Sequence, residues 1–114
     1  MRSLLVAGVL ALGLAATART AGADVRVFVR HEVTDYMAWR KIYDEFAPTA
    51  KKMGVASQVV YRSIANPNDI TVINDFKTLE KAKAFAASPE LKAAMEKAHV
   101  TGTPQIWYTT KAGK

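Results

Sequence analysis

The sequence predicts one α+β domain in which a four-stranded antiparallel sheet carries its helices on a single face. Three observations lead there. Segments with a two-residue apolar period alternate with segments of three-and-four period, in the order β-α-β-β-α-β. The turn Asn66-Pro67-Asn68-Asp69 joins two strand segments so closely that they should form an antiparallel hairpin. The strand segments also carry apolar residues on both faces, so each face of the sheet needs cover.

The chain opens with Arg2 and an unbroken apolar run over residues 4–16, LLVAGVLALGLAA. Ala21-Gly22-Ala23 then matches the small-x-small pattern of a signal-peptidase site. The run is shorter than the roughly 20 residues a bilayer span needs. Residues 1–23 therefore read as a removable export signal, with an earlier cut after Ala18 as the alternative. The mature domain is 24–114, periplasmic or secreted, with no stable membrane insertion.

Residues 24–33 are the first strand. Val25, Val27, Val29, His31 and Val33 share one face, and Arg26, Phe28, Arg30 and Glu32 the other. Asp35, or Thr34 before it, caps a helix on which Tyr36, Trp39, Tyr43, Phe46, Ala50 and Met53 line one side. That helix is expected to continue to about Lys52 and to stop before Gly54, a suitable C-terminal glycine. Pro48 inside it should kink it or end it early, leaving a solid segment to Phe46 and a less regular last turn. Residues 55–64 are the second strand and 70–76 the third. Thr78 caps a helix with Leu79, Ala82, Phe85 and Ala86 inward. Ser88-Pro89-Glu90 starts another, since serine caps, proline suits the first helical position and an acid suits the helix dipole. Gly102 and Pro104 end that piece, and 105–110, QIWYTT, is the last strand.

This order is the ferredoxin-like split βαβ arrangement. The helices cover one sheet face with Trp39, Tyr43, Phe46, Phe85, Leu91 and Met95. Nothing in the chain is left for the other face, although Phe28, Val59, Ile73 and Trp107 or their neighbours must lie on it. The simplest cover is a second copy about a two-fold axis.

Composition narrows the function. Of 16 Lys and Arg, Arg2 and Arg19 leave with the signal, so 14 cations face 10 acids and the mature charge is +4. These cations are dispersed, without the clustered face and interleaved aromatics of a nucleic-acid surface, so no nucleic-acid partner is expected. The chain has no cysteine, which removes thiol nucleophiles and thiolate metal sites. Neither histidine lies in H-x-x-x-H or H-E-x-x-H, and there is no glycine-rich phosphate loop, serine elbow or glycosidase-like carboxylate pair. No metal and no cofactor are expected.

The string His31-x-Val33-x-Asp35-Tyr36-x-x-Trp39, followed by Tyr43-Asp44, resembles the small antibiotic-biosynthesis-monooxygenase-like proteins of the dimeric α+β barrel superfamily. The resemblance continues in Tyr61-Arg62, in Asn66 to Asp69, in Ala84-Phe85-Ala86-Ala87-Ser88-Pro89-Glu90-Leu91, and from Met95 through Gly102-x-Pro104, covering nearly all of the mature chain. It implies a ferredoxin-like protomer, a dimeric barrel, and a pocket between sheet and helices. Its implication for chemistry is broad, because cofactor-independent oxygenases, heme-degrading enzymes and isomerases or cyclases all share the architecture.

His31 is the candidate catalytic residue. It lies near the end of a strand and close to Asp35, where an imidazole can act as a general base; alternatively it is structural and bonds the helix start. His99, at the end of the last helix, suits the negative end of the dipole. Trp39, Tyr43, Tyr61 and Arg62 are the candidate pocket residues, with Trp39 and Tyr61 expected to border any cavity. Tyr36, Trp107 and Tyr108 are available as further aromatics. Arg30 and Arg62 are expected on the sheet face away from the first-strand valines, to hold an anion or to pair with Glu32 and Asp75 across strands. The expected function is binding of a small apolar or aromatic molecule by a homodimer, with cofactor-independent monooxygenase or cyclase-like chemistry at His31. The alternative is a non-catalytic structural or ligand-binding homodimer. An enzyme should show a cavity of a few hundred Å³ bordered by His31; a structural module should show a filled core and a hydrogen-bonded His31.

Overall fold

A computed structural model describes residues 24–113; the export signal expected over 1–23 lies outside the described residues. The elements are β1 (Val25–Val33), α1 (Tyr36–Lys52), β2 (Ser57–Arg62), β3 (Asp69–Phe76), α2 (Leu79–Ala86), α3 (Pro89–Lys97) and β4 (Val100–Thr110). All strand pairs are antiparallel, in the order β2-β3-β1-β4. This is the ferredoxin-like α+β arrangement expected from the sequence, with the second helical region in two pieces.

Local chemistry sets the element boundaries. The Asp35 side chain accepts from the Met37 N–H at 3.1 Å and caps α1. Thr78 Oγ1 accepts from Lys81 N–H at 3.1 Å to cap α2. Ser88 does double duty: its hydroxyl donates to the Phe85 carbonyl at 2.8 Å and accepts from Leu91 N–H at 3.1 Å, so one side chain closes α2 and opens α3. Asn68, in the β2–β3 turn, reaches across to the β1–α1 junction. Its Oδ1 accepts from Tyr36 N–H at 3.1 Å, and its carbonyl accepts from Val33 N–H at 2.9 Å.

Two expectations need correction. Helix α1 reaches Lys52 as expected, but it runs through Pro48 without the less regular last turn expected after Phe46. Ala50 is fully buried, and Met53 and Val55 N–H groups close the last turn on the Thr49 and Ala50 carbonyls. Packing of that turn outweighs the one hydrogen bond proline removes. Secondly, β4 begins at Val100, five residues before the expected start. Helix α3 has already stopped at Lys97, and His99 takes the left-handed conformation, φ 61°, that glycine usually supplies. Pro104 is tolerated because β4 is an edge strand paired only to β1.

The core lies between sheet and helices. Val25, Val27, Val29 and Val33 from β1 and Ile70, Val72 and Phe76 from β3 meet Trp39, Ala50, Ala82 and Phe85. Each large side chain so buried contributes about 1.5–3 kcal/mol. The opposite face follows from register. Val59 pairs with Ile73, Ile73 with Phe28, and Phe28 with Trp107, which puts one apolar row straight across all four strands. Phe28 and Trp107 stack at 5.2 Å, nearly parallel. Ion pairs flank the row: Arg26 grips Asp75 at 2.8 and 3.0 Å on one side, and Arg30 grips Asp69 at 3.0 and 2.7 Å on the other. Arginine thus pairs across strands, as one expectation had it, but the partners are Asp75 for Arg26 and Asp69 for Arg30. Glu32 takes neither role.

Candidate functional site

The β1 alternation that buries the valines also buries His31, which is 6% exposed. Its ring sits 5.8 Å from Trp39, and Trp39 stacks on Tyr43 at 4.8 Å. These three side chains border a cavity of about 50 Å³ between the sheet and the helices. Most of the wall is apolar, with Phe46, Phe85, Leu91 and Met95 among its members. A space of this size holds a few water-sized groups; it is far below the 300–1,000 Å³ typical of a drug-sized ligand site.

The wall also holds two polar residues that sequence reasoning missed. Asn74, 2% exposed, lies on β3 directly opposite Gln58 on β2. The Gln58 amide donates to Asn74 Oδ1 at 2.8 Å, and both residues line the cavity. A signal for Asn74 was present. In the inward set Ile70, Val72, Asn74, Phe76 it is the one polar residue in an apolar phase.

His31 Nδ1 is buried and has no hydrogen-bond partner among the described residues. Burial holds the imidazole pKa below its ordinary 6.5, against smaller upward pulls from its own backbone and from the Asp69 carboxylate. The ring is therefore neutral near pH 7, and an unpaired nitrogen is available for a proton or a ligand. Burial likewise lifts the Tyr43 phenol above its ordinary 10.

The other candidate residues fall elsewhere. Tyr61 pairs in register with Thr71 and lies on the outer sheet face, 58% exposed and away from the cavity. Arg62, expected on that outer face with Arg30, is in phase with the inward residues instead. It lies over the Tyr36 ring at 3.7 Å and donates to the Pro67 carbonyl at 2.9 Å. It clamps the β2–β3 turn onto α1 and does not line the cavity. Trp107 belongs to the outer row. Among the described residues no three His, Cys, Asp or Glu side chains gather in a form suited to a metal ion, and no helix is long and apolar enough to cross a membrane.

No family model matches this sequence, and no curated protein sequence is significantly similar to it. Solved structures are similar in fold. A conserved protein from Methanosarcina mazei superposes with a TM-score of 0.67 at 15% identity, over 83% of this chain and 99% of that one. A candidate antibiotic biosynthesis monooxygenase from Bordetella bronchiseptica gives 0.68 at 16% identity, over 79% and 98%. SnoaB, a cofactor-independent oxygenase from Streptomyces nogalater, gives 0.67 at 14% identity, over 81% and 96%. At identities this low the likeness is one of backbone architecture: the chain has the ferredoxin-like α+β fold of the antibiotic-biosynthesis-monooxygenase-like proteins.

Proposed function

We propose that this chain is an exported homodimeric protein that binds a small apolar or aromatic molecule between its sheet and helices, with cofactor-independent, monooxygenase-like chemistry at His31. One observation carries the reading: a neutral, buried imidazole with an unpaired nitrogen borders an apolar cavity that also contains a carboxamide pair. A purely structural histidine would have been expected to use that nitrogen in a hydrogen bond. In the reaction, His31 accepts a proton from the bound molecule while the apolar wall excludes water. Gln58 and Asn74 offer the polar contacts that orient it. Likeness of fold to a cofactor-independent oxygenase supports the class of chemistry. Dimerisation is supported by the apolar row on the uncovered sheet face.

The cavity volume favours a second reading, a non-catalytic binding or structural dimer. About 50 Å³ does not admit an aromatic ring unless α1 and α3 separate. Tryptophan fluorescence distinguishes the two. In a Trp107→Phe variant, emission reports Trp39 alone, since the chain has only two tryptophans. Small molecules that co-purify with the protein, identified by mass spectrometry, are added back together with a panel of planar phenols. The proposal expects saturable change in Trp39 emission, oxygen uptake with one of the ligands, and loss of that uptake in His31→Ala. Failure of every ligand to move Trp39 emission, with His31→Ala affecting only the melting temperature, establishes the structural reading instead.

A further inference from the structure

A second compartment meets His31 from the other side of the sheet. Between the pairs Arg30–Gln105 and Glu32–Thr101, β1 contributes one residue, His31, while β4 contributes three, Gly102, Thr103 and Pro104. The extra residues form a bulge, with Gly102 at φ 67°. The bulge borders a polar cleft of about 400 Å³ whose wall includes Arg30, Glu32, Asp69, Thr101 and Gln105. His31 lines this cleft as well, and it is the one residue common to the linings of cleft and cavity. Arg30, Glu32 and Asp69 have the outer-face phase of their strands, whereas the cavity lies under the helices. The sheet is thus opened at the position of His31, the one histidine on its strands. A continuous ladder there would have sealed His31 from water.

We propose that the β4 bulge is a proton outlet, through which His31 exchanges protons between the apolar cavity and water in the polar cleft. The imidazole accepts a proton at one ring nitrogen from the cavity side and releases one from the other nitrogen to water in the cleft. The ring ends neutral, one proton has crossed the sheet, and no electron moves. The charged groups that face the route are Arg30, Glu32 and Asp69 at the cleft. From α1 the cavity receives Tyr43; from α3 and its C-cap it receives only Leu91, Ala94, Met95 and Ala98, none of which titrates. The Arg30–Asp69 ion pair holds the Asp69 carboxyl below its ordinary 3.8, so a negative charge remains beside the outlet through neutral pH. The cleft's β1 residues lie two to four positions along the strand from the Phe28 row, about 7–13 Å at strand spacing. It therefore sits at the rim of the surface proposed to pair, clear of its centre. Thr103, a positioning residue in this scheme, holds the bulge open without touching the reacting atoms.

The inference builds on the reading of His31 as a proton acceptor, but its test needs no ligand. Exchange of the imidazole C2–H for deuterium is followed by mass spectrometry on the peptides that carry His31 and His99. Exposed His99 serves as the internal control. Thr103→Phe fills the cleft from the bulge, and Gln105→Trp fills it from the paired part of β4. Ala94→Val fills the cavity side instead. The expected result is slowing at His31 of about threefold or more in either cleft variant that keeps the parent's far-ultraviolet spectrum, with His99 unchanged and Ala94→Val close to the parent. Slowing below about threefold in folded cleft variants, or equal slowing by Ala94→Val, overturns the outlet. Failure to find a ligand leaves these rates unaffected, so the two claims fail separately.

Discussion

Replacing Trp107 with threonine should separate the protomers of the proposed dimer without unfolding them. Trp107 lies at the β4 end of the apolar row and leaves 43% of its surface open, roughly 100 Å² on the scale of a large aromatic side chain. Hiding that area is worth about 2.5 kcal/mol at ~25 cal/mol per Å². A two-fold interface would contain the residue twice, so the proposed dimer stands to lose about 5 kcal/mol. Threonine recovers part of the contact, and the expected weakening is about a hundredfold or more in Kd. The substitution suits an edge strand because threonine, being β-branched, has high strand propensity. Within the protomer it removes the stack on Phe28, which is worth about 0.5–1.5 kcal/mol. Sedimentation equilibrium over a range of about 1 to 100 µM measures Kd, and thermal melting checks that the variant still folds. Two results would refute the reasoning: a parent protein that remains monomeric throughout, or a Kd that Trp107→Thr leaves unchanged. Either would mean that the row is tolerated in water and that the sheet face needs no partner.

Other consequences of the geometry are testable on the same material. His31 is held below its ordinary pKa, so the unfolded chain binds its proton more readily than the folded one. Stability from this residue is complete above about pH 6.5 and is lost as pH falls from there through the folded value. His31→Asn should flatten the melting temperature between about pH 7 and 5, and an unchanged slope would assign the effect to other groups. Asp69 and Asp75 are both depressed by their arginine partners, so their contribution is present above about pH 3.8 and disappears on further acidification. Phe76→Ala empties a side chain that is 1% exposed and packs on Phe85 at 5.3 Å; urea unfolding should show a loss of about 3–5 kcal/mol. Asn68→Ala removes the acceptor for Tyr36 N–H and should cost about 1 kcal/mol, with native-state exchange at the Tyr36 amide rising first.

The sequence by itself determined what depends on near neighbours. The caps Asp35, Thr78 and Ser88 are visible because a short polar side chain reaches an N–H two or three residues on. The two-sided apolar character of the strands is visible because alternation has a fixed period of two. Together these gave the element order, and the order with its hairpin gave the sheet. What failed was whatever depended on how distant strands align. Tyr61 and His31 read from the chain as members of one pocket, yet register places them on opposite faces, and it puts Arg62 over the Tyr36 ring of α1. Gln58 and Asn74 become a pair only when β2 is laid against β3. The bulge opposite His31 is a mismatch in residue count between β1 and β4, which are far apart in the chain, so no local pattern announces it. The cavity volume is the residue of many side chains packing at once. Period and capping are properties of a few consecutive residues, whereas register and void are properties of the assembled sheet, and only the tertiary structure decides those.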